Sequence, residues 1–421
     1  MTAIDEAIAS LPENSPYRVV LKGIWSENEE QRRAAKQELM KLSRPSYGKI
    51  VALPEALTRT VLRASLEIPA PPTRSWGVNE IVSSLIGSVT PSMFDLVRAN
   101  YEKSDENTRL ALLTLVAATA TEEGARLIVE LVRAHGWTKW THQRLFSELS
   151  KNLPYANILF PDLLEAKQAP MVSLGDMLIR ALHGEHLDPE RLEGSEIETS
   201  LTARIDALVA EVEKNRGGKR SGDSVNAIGE LAMRYDLAGY IGPPGVIVRL
   251  HQALALPETW ACMFAIVSLL RRKAEVPHEP IVRVAKDPAT RATLYVLLKD
   301  LGVTSRIPAE YRTRDAFAEA NMVEWLSHPG ELGEPPAAIE KMAITNTRHR
   351  DKDVSLYVWR FRAHDGKWKA GVSGPYDIDA PEGPLRGSAT FSRFDAWEKC
   401  SAEEHASAVL KTLQEWAKAH A

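Results

Sequence analysis

The sequence predicts a mainly α-helical chain in which short helices stack in pairs, followed by a small antiparallel α+β domain. Three observations lead to this fold class. Apolar residues recur with helical periodicity over most of the chain, one helix pattern occurs three times, and the period changes to that of strands after about residue 335. A chain of 421 residues exceeds one ordinary compact core. We therefore expect a helical array over 1–335 and a terminal domain over 336–421.

The repeated helix pattern places arginine four positions after a residue able to cap a helix N-terminus. The pairs are Asn28 and Arg32, Asp105 and Arg109, and Asp287 and Arg291. Apolar residues follow each arginine at helical spacing, which predicts a stripe buried against a neighbouring helix. These residues are Ala35, Leu39, Leu112, Val116, Leu294 and Leu298. Helices this short cannot bury their stripes alone, so they must stack.

Two of these segments, DENTRLALLTLVAATA and DPATRATLYVLLKDLG, resemble the second helices of HEAT-type repeats. The resemblance extends over residues 15–330, and the part of the chain that follows resembles the C-termini of uncharacterised bacterial HEAT-like proteins. The resemblance implies an α-solenoid of antiparallel helix pairs that binds other macromolecules along a groove, and it implies no activity. The three patterns start 77 and 182 residues apart, close to two and four repeats of about 40–47 residues. The alternative is an irregular helical bundle.

A polar stretch interrupts the helical patterns at 214–224, KNRGGKRSGDS, which has three glycines and four basic residues. It lacks the GxxxxGK[ST] pattern, and no strand precedes it, so an exposed loop is favoured over a phosphate-binding loop. This polar stretch indicates a point at which the helical array could divide into two parts.

The terminal domain has strand composition at 341–347 and 354–361, and Asp365 and Gly366 predict a two-residue type I′ turn. Pairing outward from this turn divides the hairpin into an aromatic face and a basic face. The aromatic face contains Tyr357, Trp359, Phe361, Trp368, Ala370 and Val372, and the basic face contains Arg360, Arg362, Lys367 and Lys369. Ser401 and Glu404 predict a capping box at the start of the last helix, which we expect to cover the aromatic face.

The basic face is the first candidate binding surface. With the 214–224 loop, it is able to neutralise phosphates of a nucleic acid. Base stacking would also need aromatic side chains on the same face, yet the predicted pairing sends Trp359 and Trp368 to the opposite one. A solvated sheet surface is therefore the favoured interpretation.

A second candidate surface is the segment GWTKWTHQR, which contains Trp137, Trp140 and Arg144. Tryptophan beside arginine is typical of the residues that dominate protein–protein interfaces. Tryptophan also fills space between packed helices, and both interpretations stay open.

No motif for catalysis, metal or cofactor binding converges in this sequence. His183 and His186 lack a third ligand, and Cys262 lies in an apolar stretch. A Cys400–His405 nucleophile pair is less favoured than an ordinary helix boundary. The sequence predicts no cofactor and no metal.

The Asn/Asp…Arg helix pattern, together with the lack of a convergent catalytic set, favours a function in binding a protein partner. The net charge of −4 exerts no general attraction for nucleic acid, and we see neither a signal peptide nor an apolar run that could span a membrane. We expect a cytoplasmic, non-enzymatic scaffold, adaptor or immunity-type protein that binds a protein partner. Nucleic-acid binding through the basic hairpin is the alternative.

Overall fold

The computed structural model of the chain divides into two compact units, Met1–Ser200 and Leu201–Ala421, and each is described by itself. The structure describes residues 5, 8–9, 13, 15–23, 26, 28–43, 52–67, 78–138, 143–215, 222–328, 330–349, 352–363, 365–379, 383–385 and 391–419.

The first unit is helical throughout its described part. Its α-helices are α1 (Pro16–Gly23), α2 (Glu29–Ser43), α3 (Glu55–Glu67), α4 (Val78–Ser84), α5 (Phe94–Tyr101), α6 (Glu106–Ala118), α7 (Glu122–His135), α8 (Gln143–Leu149), α9 (Ala156–Leu159), α10 (Asp162–Glu165), α11 (Met171–His183) and α12 (Glu196–Thr199). Short 3-10 helices cover Pro91–Met93, Ser150–Tyr155 and Pro189–Leu192. Helices α3, α5 and α7 pack in one row and α4, α6 and α8 in another.

The repeated Asn/Asp…Arg pattern joins consecutive helices. The Oδ1 atom of Asp105 accepts a hydrogen bond from the backbone N–H of Thr108, at 2.9 Å, and so caps α6. The Arg109 Nε atom donates to the carbonyl of Tyr101, the last residue of α5, at 3.0 Å. Carbonyls at helix ends lack partners within the helix, and the guanidinium supplies one. The arginine therefore joins the end of one helix to the body of the next.

The other two copies of the pattern form related contacts, of which only the third reaches the end of a helix. Asn28 caps α2, and Arg32 donates to the carbonyl of Ser26. Asp287 caps the third copy, where Arg291 donates to the carbonyl of Ala285 at 2.8 Å. The predicted stripes are buried: Leu39, Val116 and Leu298 are at most 1% exposed.

Arginine–carboxylate pairs also link successive helices of the first row. The pairs are Arg59 with Asp95 at 3.8 Å, Arg98 with Glu130 at 2.9 Å, and Arg133 with Asp162 at 3.3 Å. They connect α3 to α5, α5 to α7, and α7 to α10 in turn. Each pair has at least one side chain that is about half exposed or more, so each pair contributes little stability.

The second unit contains seven helices before a sheet, within the described residues: α13 (Leu201–Lys214), α14 (Gly222–Ala238), α15 (Gly245–Ala253), α16 (Thr259–Arg271), α17 (His278–Lys286), α18 (Pro288–Asp300) and α19 (Arg314–Ser327). Short 3-10 helices cover Thr304–Arg306, Ala309–Arg312 and Trp397–Lys399. Helix α13 packs on α15, while α14, α16, α18 and α19 pack one on the next. Residues 222–224 of the predicted loop are helical, and 216–221 lie outside the described residues.

A four-stranded antiparallel sheet in the order β1-β2-β3-β4 follows α19, and a last helix follows the sheet. The strands are β1 (Ala338–His349), β2 (Lys352–Arg362), β3 (Trp368–Asp377) and β4 (Phe391–Ala396), and the helix is α20 (Ala402–Ala419). The capping box is confirmed, because the Glu404 N–H donates to Ser401 Oγ and the Ser401 N–H to Glu404 Oε2. The predicted fold class, mainly α with a terminal antiparallel α+β part, is confirmed.

The predicted hairpin register is wrong by one residue. Arg362 pairs with Trp368, and Trp359 pairs with Gly371. The N–H of Ala363 donates to the carbonyl of Lys367, so three residues form the loop rather than two. Gly366 takes a φ of 75°, as the third position of such a loop requires. The one-residue change moves the β3 side chains from Trp368 to Ser373 to the face opposite to the predicted one, and a bulge between Ser355 and Tyr357 ends this shift.

Both faces of the central strands are covered, which also corrects the predicted position of the last helix. Ala406, Val409 and Leu413 of α20 pack on the face that contains Leu356, Val358 and Val372. The aromatic residues of β2 point to the other face, where Trp359 Nε1 donates to Ser373 Oγ at 2.8 Å. Helix α19 packs there: a Cβ atom at Gly371 would lie 2.3 Å from Met322 Cε.

Candidate functional site

The first predicted binding residue, Trp137, is a packing residue. It is 3% exposed, its Nε1 atom donates to the carbonyl of Leu163 at 2.9 Å, and its ring stacks on Phe146 with centroids 6.3 Å apart. A tryptophan held in this way offers no surface to a partner. Trp140 lies outside the described residues, and Arg144 is exposed on α8.

Arg144 lies at a groove across the second row of helices in the first unit. The groove has a volume of about 370 Å³ and is formed by α4, α6 and α8. It is lined by Ser83, Asn107, Leu110, Ala111, Thr114, Gln143 and Arg144. The sequence patterns singled out Arg144 but did not indicate the other lining residues, because their meeting depends on how α4, α6 and α8 pack.

The floor of this groove is apolar and its rim is polar. Leu110 and Ala111 are adjacent on α6, Thr114 lies one helical turn further on, and all three are 5% exposed. The Thr114 hydroxyl donates to the Leu110 carbonyl at 2.7 Å, so it is satisfied within α6. Asn107, Gln143 and Arg144 are exposed at the edges. This arrangement suits contact with a protein side chain, since an apolar centre with a polar rim is typical of protein interfaces.

A second cleft in the same unit, of about 550 Å³, lies between α7, α9 and α10 and is rich in charge. Arg126 binds Glu122 at 2.6 Å within α7, and Arg133 binds Asp162. Glu130 is held by Arg98. Each of these charged side chains of the cleft is paired within the protein, and we assign no binding function to the cleft.

The hairpin does not bring the predicted basic residues together. Arg360 and Arg362 lie on the α20 face of β2, with their guanidinium groups 4.7 and 5.1 Å from the centre of the Trp368 ring. Lys369 pairs with Phe361 and so lies on the opposite face, and Lys367 belongs to the end of the turn. The expected single face containing Arg360, Arg362, Lys367 and Lys369 is therefore a wrong prediction. It failed because the loop has three residues.

Carboxylates also neutralise part of this basic set. Arg360 binds Glu340 Oε2 through both Nε and Nη2, at 2.9 and 2.5 Å. Lys369 Nζ lies 3.6 Å from the Asp365 carboxylate. The lysine, together with the Lys367 backbone N–H, holds the pKa of Asp365 below its usual range, with the N–H as the larger cause. These charges are already compensated within the chain.

The other titratable groups form no catalytic arrangement among the described residues. Burial raises the pKa of the Cys262 thiol, although Arg283 lies 3.3 Å from its sulfur and opposes the effect. His405 is fully buried and stacks on Trp397 with ring centroids 5.7 Å apart, so it belongs to the core beneath α20. Within the described part of the chain, no cluster of three or more His, Cys, Asp or Glu side chains is arranged to hold a metal.

In the described residues, no helix combines the length and apolar character that crossing a membrane requires.

The chain matches no protein-family model, no curated protein and no solved structure.

Proposed function

We propose that this protein is a non-enzymatic cytoplasmic scaffold or adaptor that binds a protein partner along a groove between helices. The observation that supports this proposal is the groove of α4, α6 and α8, which combines an apolar floor on α6 with exposed Asn107, Gln143 and Arg144. An immunity-type role, in which the partner is a toxic protein, uses the same surface.

A HEAT-like repeat array is part of this proposal. In each of three copies of the Asn/Asp…Arg pattern, the arginine donates to a backbone carbonyl that precedes its own helix, and in two copies this carbonyl lies at the end of the preceding helix. In the second unit, Asp206 of α13 binds Arg249 of α15, 43 residues later, a separation within the range of about 40–47 residues for such repeats. Stacked helix pairs of this kind build long surfaces that recognise macromolecules.

The nucleic-acid alternative has less support. It needs a dense set of free cations on one surface, whereas Arg360 is bound by Glu340 and Lys369 lies on the other face of the sheet. The protein-binding proposal is therefore preferred.

The test uses a photoreactive amino acid at Gln143, on the rim of the groove, in protein exposed to native lysate. We expect one cross-linked adduct of defined mass. Its yield should fall when the same protein also carries the Arg144→Glu substitution. The control places the same group at Glu123, an exposed position of α7 that does not line the groove. If Gln143 and Glu123 give the same adducts, or neither gives any, the groove is not the binding surface.

A further inference from the structure

A cavity of about 320 Å³ lies in the second unit between α13 and α15. It is lined by Ile205, Asp206, Val209, Ala210, Glu213, Tyr235, Arg249, Gln252, Ala253 and Leu256. Its volume is at the lower end of the range for small-molecule sites, about 300–1,000 Å³.

The cavity arises from the register in which α13 and α15 pack. Asp206 binds Arg249, 43 residues later, and the same separation relates Ala210 to Ala253. Ala253 is buried on α15 at 1% exposure, whereas Ala210 of α13 is exposed at the edge of the cavity. Their small side chains do not fill the space between the helices, and Tyr235 of α14, 1% exposed, forms part of the lining.

The lining of the cavity includes a paired charge. The Arg249 Nε atom donates to Asp206 Oδ1 at 3.1 Å, and Nη2 donates to Oδ2 at 2.9 Å. This two-pronged contact occupies the Asp206 carboxylate and fixes Arg249. Neither group needs a ligand to be satisfied.

The charge balance of the lining is negative. Glu213 lies seven residues after Asp206, on the same face of α13, and its side chain is exposed. The lining therefore contains two carboxylates and one guanidinium. Burial raises the pKa of Tyr235, and the nearby charges of Asp206 and Glu258 raise it further, so the phenol stays neutral and adds no charge to the lining.

We propose that this cavity binds a small organic cation, with its ammonium group beside Glu213 and its apolar body against Ile205, Val209 and Leu256. The apolar walls provide the contact area, and Glu213 provides the charge preference. An anion of the same shape is repelled by Glu213, while Arg249 is already bound by Asp206. The site is separate from the groove of the first unit, so the proposal does not depend on the protein-binding function.

The test compares three probes with one ring system and different charge: tryptamine, tryptophol and indole-3-acetate. Isothermal titration calorimetry measures each with the full chain. We expect tryptamine to bind in about the millimolar range, as its size suggests, and about tenfold more tightly than indole-3-acetate. If no probe binds, or if indole-3-acetate binds as tightly as tryptamine, the proposal is wrong.

Two variants and one control locate the site. Glu213→Gln is expected to reduce tryptamine affinity to that of tryptophol, while leaving tryptophol affinity unchanged. Ala253→Leu fills the cavity and is expected to abolish binding of both, with circular dichroism reporting whether the variant folds. Glu211→Gln removes an exposed carboxylate from the same helix outside the lining and serves as the control. Equal effects of Glu213→Gln and Glu211→Gln contradict the proposed role of Glu213.

Discussion

Replacement of Arg291 by alanine is expected to destabilise the second unit more than replacement of an exposed arginine. The Arg291 side chain is 4% exposed and connects three helices. Its Nε donates to Ala285 O at 2.8 Å and its Nη2 to Lys286 O at 2.9 Å, both at the end of α17. Its Nη1 donates to Ala316 O and to Glu319 Oε2, both at 2.7 Å, on α19.

The expected loss of unfolding free energy arises because the oxygen acceptors of Arg291 lose their hydrogen-bond donor. Each buried acceptor left without a donor costs about 1–3 kcal/mol, and three backbone carbonyls lose their donor in this variant. The Glu319 side chain is 29% exposed, so water replaces part of its lost contact and its contribution is smaller. Because these costs overlap, we expect a total loss of about 3–5 kcal/mol for Arg291→Ala. Lysine lacks the planar fork needed to reach several acceptors at once, so Arg291→Lys is expected to lose most of the same free energy.

The assay is denaturant unfolding followed by circular dichroism, combined with hydrogen exchange of peptides covering residues 278–327. Hydrogen exchange is needed because a chain of two compact units does not have to unfold in one step. The control is Arg204→Ala in the same unit, since Glu230 keeps Arg234 as a partner and the Arg204 side chain is 46% exposed. The control is expected to lose about 0–1 kcal/mol. Equal losses for Arg291→Ala and Arg204→Ala would refute the assigned role.

Three further predictions concern single side chains. Burial raises the pKa of Tyr101 to about 12, with Arg109 opposing the effect. Tyr101 therefore loses its proton at a lower pH in the unfolded chain than in the folded chain, and the free energy of unfolding should fall by about 2–3 kcal/mol as pH rises from about 10 to about 12. The Tyr101 hydroxyl is buried without a hydrogen-bond partner, so Tyr101→Phe should leave the unfolding free energy at pH 7 unchanged or raise it. The variant should also lack the decrease in unfolding free energy between about pH 10 and about pH 12, as measured by urea titration at those two pH values. Gly366→Ala should destabilise the hairpin by about 1–2 kcal/mol because φ is positive there, with Gly366→Asn losing less, as measured by hydrogen exchange of β2 and β3. Trp137→Phe removes the bond to the Leu163 carbonyl and should lower the unfolding free energy by about 1–3 kcal/mol without changing the Gln143 adduct; loss of the adduct in a folded variant would contradict the packing role.

The sequence determined the features that depend on neighbours along the chain. Helix caps at Asp105 and Asp287, the capping box at Ser401, and the buried stripes through Leu39 and Leu298 all follow from side chains within one or two helical turns. Short-range hydrogen bonds and a 3.6-residue period leave few alternatives for such segments. The change from helices to an antiparallel sheet near residue 335 was predictable for the same reason.

Which helix and strand faces meet depends on packing between segments that are distant in the sequence. Asp365 and Gly366 fit a two-residue turn and also a three-residue loop, and the difference of one residue places Trp368 beside Arg360 rather than beside Trp359. The groove at Arg144 and the cavity at Ala210 and Ala253 exist because helices distant in sequence pack in a given register. Periodicity identifies the buried side of each helix but not its partner, because any apolar stripe of suitable size can cover another.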